Sequence, residues 1–486
     1  MTEKKEKVLE ELDFGGFVAE LEEDLPSIFV PTRRIENEIF ISPPPDMILG
    51  PKGSGKSAVF KLFSDYEEYI RNNYISMFSE CDNKVIIGSG TGQEDELKKG
   101  LVRLNSDIDD FDPEEYWRIY FVLKIAYLLK ENGHTPDGSI SELLREIGES
   151  DDMRLATIMS KVYKTVIGRR LPEKIETPAG PFSIVLEDKD TEGLLAEESK
   201  YLEDNNISVW IFIDRIDQIK GDREEMKESI EGLFEAQIFL QMYDGIEPKI
   251  FVRSDIWEFL TITNQDYLRK TRLNWSEKEL ITLVNKRMLE NETVRKYIDK
   301  HTGKNLDLTN IETYKKQTQK TIFNTIFVKK MASGQTGGTT SQWMISRVTN
   351  GKGDVYPREL INLCREAKKI QLRKNTSPDQ GIIGRKSLKD ALSEVSRNHV
   401  EDVLKEYEKF NPHYDELIGG EISYSRSELK DMFAGLTPSG DEAIKQLYYI
   451  GLLKPKKPEN GRYTADEFSI PWIYRDGLGI VSRGRP

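Results

Sequence analysis

The sequence predicts an α/β fold class: a parallel sheet flanked by helices, followed by a helical region and a small C-terminal domain. Three observations carry this expectation. Residues Gly50–Ser57 read GPKGSGKS, a glycine-rich loop between an apolar strand-like run and a helix-like run. Val209-Trp210-Ile211-Phe212-Ile213-Asp214 is continuously apolar and ends in a carboxylate, as a strand covered on both faces requires. Lys249-Ile250-Phe251-Val252-Arg253 repeats that pattern with a basic terminus.

The loop fits G-x-x-x-x-G-K-[ST] at every fixed position. Met47-Ile48-Leu49 before it suits a buried strand, and Ala58 to Phe63 resumes at helical spacing. Glycines 50, 53 and 55 let the backbone turn its N–H groups inward, and the following helix start adds partial positive charge. Gly50, Pro51, Lys52, Gly53, Ser54, Gly55, Lys56 and Ser57 are therefore the expected phosphate-binding residues. Lys56 is expected to reach the β and γ phosphates, and Ser57 to offer its hydroxyl to Mg²⁺.

The acid strand supplies the second half of such a site. Asp214, at the carboxyl end of a strand beside the loop, is the expected second metal-shell residue with Ser57. A helix is expected over Asp222–Tyr243, and Arg253 then falls at the same sheet edge, where a cation can neutralise charge on a γ-phosphate. Pairing of Arg253 with Asp217 or Asp255 is the competing structural role. Upstream, Ser42-Pro43-Pro44-Pro45 ends an N-terminal arm. Pro113 to Lys130 has the spacing of a buried helix, with helical signals continuing toward Arg170 and a proline-containing connection over Leu171–Phe182.

Ser276 and Glu279 stand at capping-box spacing and open a helical region. Pro357 starts a later helix, and Arg358 near its start is expected either to reach back to a triphosphate or to stand exposed on a solvated helix face. Helical signals at Ser427–Phe433 and Ser439–Ile450, then Gly451-Leu452-Leu453, a turn through Gly461 and a return to Ile470, resemble a winged-helix domain. Lys454, Lys456, Lys457 and Arg462 cluster in its wing, although acidic and basic residues nearly balance across the region. DNA and protein are both open as partners of this domain.

Composition bounds the rest. The 486 residues carry a net charge of −14, which favours solubility and disfavours broad attraction to nucleic acid or anionic membrane. Cys81 and Cys364 stand alone and His134, His301, His399 and His413 lack ligand spacing, so neither a disulfide scaffold nor a zinc site is expected. The most apolar helical stretch, Ile119–Leu129, is interrupted by Lys124 and too short to span a bilayer. The expectation is a cytoplasmic protein with no membrane partner.

Together GPKGSGKS, WIFIDRID, KIFVRSD and YPREL resemble the Walker A, Walker B, sensor-1 and sensor-2 segments of AAA+-related and STAND-like P-loop ATPases, including the KAP-type and origin-recognition-like groups. The likeness runs from about Pro31 to Ala367. FIDRIDQ, KIFVRSDIW and RLNWSEKEL are similar more narrowly to bacterial P-loop ATPases associated with phage defence or DNA transactions. The resemblance implies a P-loop NTPase fold in four parts: an N-terminal arm (1–45), an ATPase core with helical insertions (46–275), a helical lid (276–400) and a winged-helix-like C-terminal domain (401–486). It implies ATP and Mg²⁺ as cofactors, hydrolysis coupled to lid movement, a protein partner or effector, DNA through the C-terminal domain, and assembly as a homo-oligomer.

One departure bears on catalysis. Where many relatives place a carboxylate after the Walker B aspartate, this chain has Arg215, and Asp217 is the nearest substitute for orienting water. Slow turnover, or an ATP-binding regulatory module with negligible hydrolysis, is the alternative; a small-molecule kinase is a second. Arg269 and Arg272, just before the lid, hold the position from which related proteins present a finger to a neighbouring subunit. Ala332-Ser333-Gly334-Gln335 lies on the wrong side of Asp214 for a transporter-type signature, and Asn285-Lys286-Arg287-Met288 lacks the acid of a guanine-binding motif, which leaves ATP favoured.

Overall fold

The structure, a computed structural model, describes residues 3–16, 21–79, 81, 83–91, 112–141, 191–218, 223–332, 338–374, 376, 378, 380–457 and 463–480. The helical signals expected toward Arg170, the connection Leu171–Phe182, most of Ala332–Gln335 and the wing residue Arg462 lie outside them. The chain forms two compact units, one of residues 33–50 and 56–272, the other of residues 1–32, 51–55 and 273–486.

The first unit is built on five strands: β1 Met47–Gly50, β2 Lys84–Thr91, β3 Ile207–Asp214, β4 Ile246–Arg253 and β5 Lys270–Arg272. Their order is β2-β3-β4-β1-β5 and every pairing is parallel. All eight residues of β3 are buried, which explains its unbroken apolar run: a sheet covered by helices on both faces leaves no strand position for solvent. Helix Lys56–Asp65 packs on one face through Phe63, stacked on Phe212 at 4.1 Å. Helix Pro113–Glu131 begins with the Asp112 carboxylate accepting the N–H groups of Glu114 and Glu115. It approaches β2 closely because Gly88 and Gly90 carry no side chain there; a Cβ on Gly90 would collide with the Tyr120 hydroxyl.

Strands β2 and β5 complete the sheet beyond the three expected from sequence. The register sets Gly50 opposite Arg253 and Leu49 opposite Arg272. Because β4 lies between β1 and β3, the carboxyl ends that carry Gly50, Arg253 and Asp214 open at one edge.

In the second unit, helix Glu277–Glu290 starts with both hydrogen bonds of the Ser276–Glu279 capping box. It shares one core with helices Glu292–Thr302, Lys316–Ile326, Pro357–Lys374 and Arg385–Glu406. Val8 and Leu9 of the N-terminal helix Glu3–Glu11, with Leu12 and Phe14 after it, are buried in that same core. Toward the C-terminus, β6 Ser423–Ser425, β7 Lys454–Lys456 and β8 Glu467–Ser469 form an antiparallel sheet in the order β6-β8-β7. Helices Arg426–Met432 and Gly440–Ile450 lie between β6 and β7 in sequence, the second ending at Gly451 with φ +93°. No helix among the described residues is long and apolar enough to cross a membrane.

Candidate nucleotide site

The glycine-rich loop leaves β1 at Gly50 and re-enters regular structure at Lys56, the first residue of helix Lys56–Asp65. Gly53 has φ +75° and Gly55 φ +102°, conformations a side chain strongly disfavours, so these two positions need glycine for the turn itself. The Ser54 N–H donates to the Pro51 carbonyl at 3.2 Å, closing the tight turn.

Lys56 and Asp214 form the electrostatic centre of the sheet edge. Lys56 is 8% exposed and its ammonium donates to the Gly50 carbonyl at 2.9 Å. Burial pulls its pKa down to about 8 against the attraction of Asp214, with Arg253 adding repulsion and Asp217 and Asp255 opposing it. Asp214 is 3% exposed and burial raises its pKa, opposed by Lys56, a hydrogen bond with the Ser57 hydroxyl and the N–H of Arg215. Both shifts have one physical cause: two opposite charges have been taken out of water without enough partners to replace it. One oxygen of Asp214, Oδ2, is buried with no hydrogen-bond partner. A carboxylate oxygen left open beside a serine hydroxyl is the donor set a small, oxygen-seeking divalent cation takes when substrate phosphates and water complete its shell.

Arg253 and Asp217 are brought together. Arg253 Nη2 and Nε donate to the two carboxylate oxygens of Asp255 at 2.7 and 3.2 Å, and Nη1 to Asp217 at 3.3 Å. The arginine thus sits between both carboxylates expected as its structural partners. The chain passes from Asp214 to the short turn Ile216–Gln218 through Arg215 at φ +61°, a conformation costly for a non-glycine residue. That bend carries Asp217 to the arginine.

Within the second unit, residues 51–55 meet two side chains. The Trp275 indole donates to the Ser54 carbonyl at 2.8 Å, and the backbone N–H of Arg358 donates to the Gly53 carbonyl at 3.4 Å. A Cβ on Gly53 would stand 3.0 Å from that of Arg358. Arg358 Nε and the Ser54 hydroxyl are both buried without hydrogen-bond partners. Lys52 instead forms an ion pair with Glu406 at 2.8 Å. Trp275 lies in the RLNWSEKEL segment, immediately before the Ser276 cap, but nothing in the sequence gives it a role of its own.

Arg269 binds Asp46 through its guanidinium and backbone N–H, each at 2.9 Å. Arg272 is half-buried at the end of β5, beside β1 in the sheet.

No protein-family profile matches the chain. It is 24% identical over 389 residues to the putative transposon gamma-delta 80.3 kDa protein of Escherichia coli (strain K12), covering 75% of this chain and 47% of that protein. The chain thus spans about half the length of that relative. Among solved structures it is similar to the Aeropyrum pernix ORC2 protein in ADPNP–ADP complexes, at 11% identity and a TM-score of 0.35, over 94% of this chain and 92% of that one. It is also similar to the Aeropyrum pernix ORC1 protein in complex with DNA, at 13% identity and a TM-score of 0.31, over 96% of both chains.

Proposed function

We propose that this protein is a Mg²⁺-dependent ATPase in which nucleotide state works as a switch or motor on a protein or nucleic-acid partner. The observation that carries the proposal is the group of Lys56, Ser57 and Asp214 at the end of a glycine loop, with one carboxylate oxygen of Asp214 buried and unpartnered. Residues 50–57 would hold the phosphates through inward N–H groups, with Lys56 turning from the Gly50 carbonyl to phosphate oxygens. Ser57 and Asp214 would hold Mg²⁺, which supplies charge neutralisation at the β and γ oxygens. Asp217 would orient water, Arg253 and Arg358 would meet charge developing on the γ-phosphate, and Arg272 would serve a neighbouring copy in a homo-oligomer.

The division into arm (1–45), ATPase core (46–275), lid (276–400) and winged-helix-like domain (401–486), a cytoplasmic location, and a role in phage defence or DNA transactions belong to this same reading. The helix pair between β6 and β7, with those strands paired through β8, supports a winged-helix-like C-terminus. The similarity to a protein named for a transposon supports the DNA-transaction branch.

Phosphate release and nucleotide binding, measured with and without Mg²⁺ in wild type and Lys56→Ala, test the proposal. Equal activity in both proteins removes it. Asp214→Asn is expected to bind nucleotide and to lose most turnover. A second reading, an ATP-dependent binding module with negligible hydrolysis, is favoured by Arg215 after Asp214 and by the hold of Arg253 on Asp217. Single-turnover phosphate release well above the spontaneous rate eliminates it.

A further inference from the structure

Helix Thr340–Arg347 and the short helix Trp472–Arg475 bring two arginines onto one tryptophan. The Arg347 guanidinium carbon lies 3.8 Å from the centre of the Trp472 ring and that of Arg475 lies 3.9 Å from it. Two guanidinium planes that close to one ring centre cannot share a face without overlapping, so they flank the indole on opposite sides. Arg347 also lies 5.2 Å from the ring of Trp343, one helical turn before it, which extends the stack.

Stacking fixes the two cations without neutralising them. Neither guanidinium has an ion-pair partner among the described residues. Arg475 Nε donates to the Ile470 carbonyl at 2.8 Å and Arg347 Nη1 to the Ser346 hydroxyl at 3.0 Å, both uncharged acceptors. Burial lowers the Arg475 pKa against the attraction of the neighbouring acid, Asp476, which forms no ion pair with it and accepts from the Ser393 hydroxyl at 2.5 Å. Burial, reinforced by repulsion from Arg475, pulls the Arg347 pKa down to about 10, which leaves it charged at neutral pH. Elsewhere in this region Arg426 and Lys430 both bind Asp441, and Lys456 pairs with Glu467.

We propose that Arg347 and Arg475, held apart by Trp472, bind the phosphate backbone of a nucleic acid strand. A stacked guanidinium keeps its N–H fork in the plane of the stack, at the edge where a phosphate accepts two hydrogen bonds. The two guanidinium carbons are separated by at most the sum of their ring distances, of the order of the spacing of successive phosphates along one strand. Helix Gly440–Ile450 offers a poorer surface to phosphate, since its first turn carries Asp441 and Glu442. The site specifies nucleic-acid binding away from that helix, and it rests on the DNA branch of the proposed function.

The test is fluorescence anisotropy of full-length protein with a labelled mixed-sequence duplex and the corresponding single strand, each at several KCl concentrations. Arg347→Ala/Arg475→Ala is expected to weaken binding about tenfold or more. It should also flatten the slope of log affinity against log salt by about 1.8 on the duplex, or about 1.4 on the single strand, since each lost phosphate contact removes roughly 0.9 or 0.7. Arg347→Gln and Arg475→Gln should each remove about half of that change. The lysine pair Arg347→Lys/Arg475→Lys should retain the slope while binding more weakly, because charge survives and the fork does not.

An unchanged slope and affinity in the alanine pair overturns the proposal. So does a wild type that binds neither strand, or one from which polyglutamate displaces DNA at equal charge concentration, the behaviour of an acidic-protein site. ATP binding by the alanine pair serves as the folding control. Loss of ATP binding in Lys56→Met tests the nucleotide site separately from the arginine pair.

Discussion

Replacing Lys56 by methionine should make the nucleotide-free protein more stable while abolishing nucleotide binding. The ammonium is 8% exposed, and its pKa falls from 10.5 to about 8 despite the attraction of Asp214. At about 1.4 kcal/mol per unit, keeping this lysine charged in the folded protein costs about 3–4 kcal/mol, the attraction of Asp214 already included. Loss of the hydrogen bond to the Gly50 carbonyl returns roughly 1 kcal/mol, leaving a gain of about 2–3 kcal/mol for Lys56→Met below pH 8. The folded-state pKa is the lower one, so between pH 8 and 10.5 the unfolded chain binds more protons and wild-type stability rises with pH. The advantage of the variant should therefore be complete at pH 7 and shrink steadily through that window. Urea denaturation at pH 7, 8.5 and 10 without nucleotide, paired with calorimetric titration of Mg–ATP, reads both effects. A variant no more stable than wild type at pH 7, or an advantage that does not change with pH, refutes the claim that Lys56 is a strained charge held for a polyphosphate.

Three further outcomes follow from the same geometry. Asp217→Asn should leave nucleotide binding intact and lower steady-state phosphate release by about 100-fold or more if its carboxylate orients water; unchanged turnover assigns that task elsewhere. Gly53→Ala places a side chain at φ +75° and 3.0 Å from Arg358 Cβ, so it should cost about 1–2 kcal/mol in urea denaturation and weaken ATP binding. Ser276→Ala removes one half of the capping box and should cost about 1 kcal/mol with no direct effect on nucleotide affinity, a separation that thermal unfolding and calorimetry measure together.

Local signals made part of this protein legible without coordinates. The run Val209–Asp214 was legible because a strand covered on both faces must be apolar throughout; it begins two residues earlier in the structure, where Ile207 and Ser208 are also buried. The Ser276–Glu279 box and Pro357 marked helix starts because capping and proline preference act over one turn. Strands β2 and β5 are hidden in the sequence for opposite reasons. In β2 the glycines that admit Tyr120 and Leu128 dilute the apolar pattern, and β5 is three residues long with two charged side chains.

By itself, then, the sequence determined the phosphate-loop pattern, the acid and basic strand termini and the main helix starts, all written in neighbouring residues. Only the tertiary structure decided the strand order, the sharing of Arg253 between Asp217 and Asp255, the burial of Val8 and Leu9 in the core of the second unit, and the stacking of Arg347 and Arg475 on Trp472. The physical reason is range: turns and caps are settled by hydrogen bonds a few residues apart, whereas partners separated by tens to hundreds of residues are chosen by which surfaces the packed core brings together.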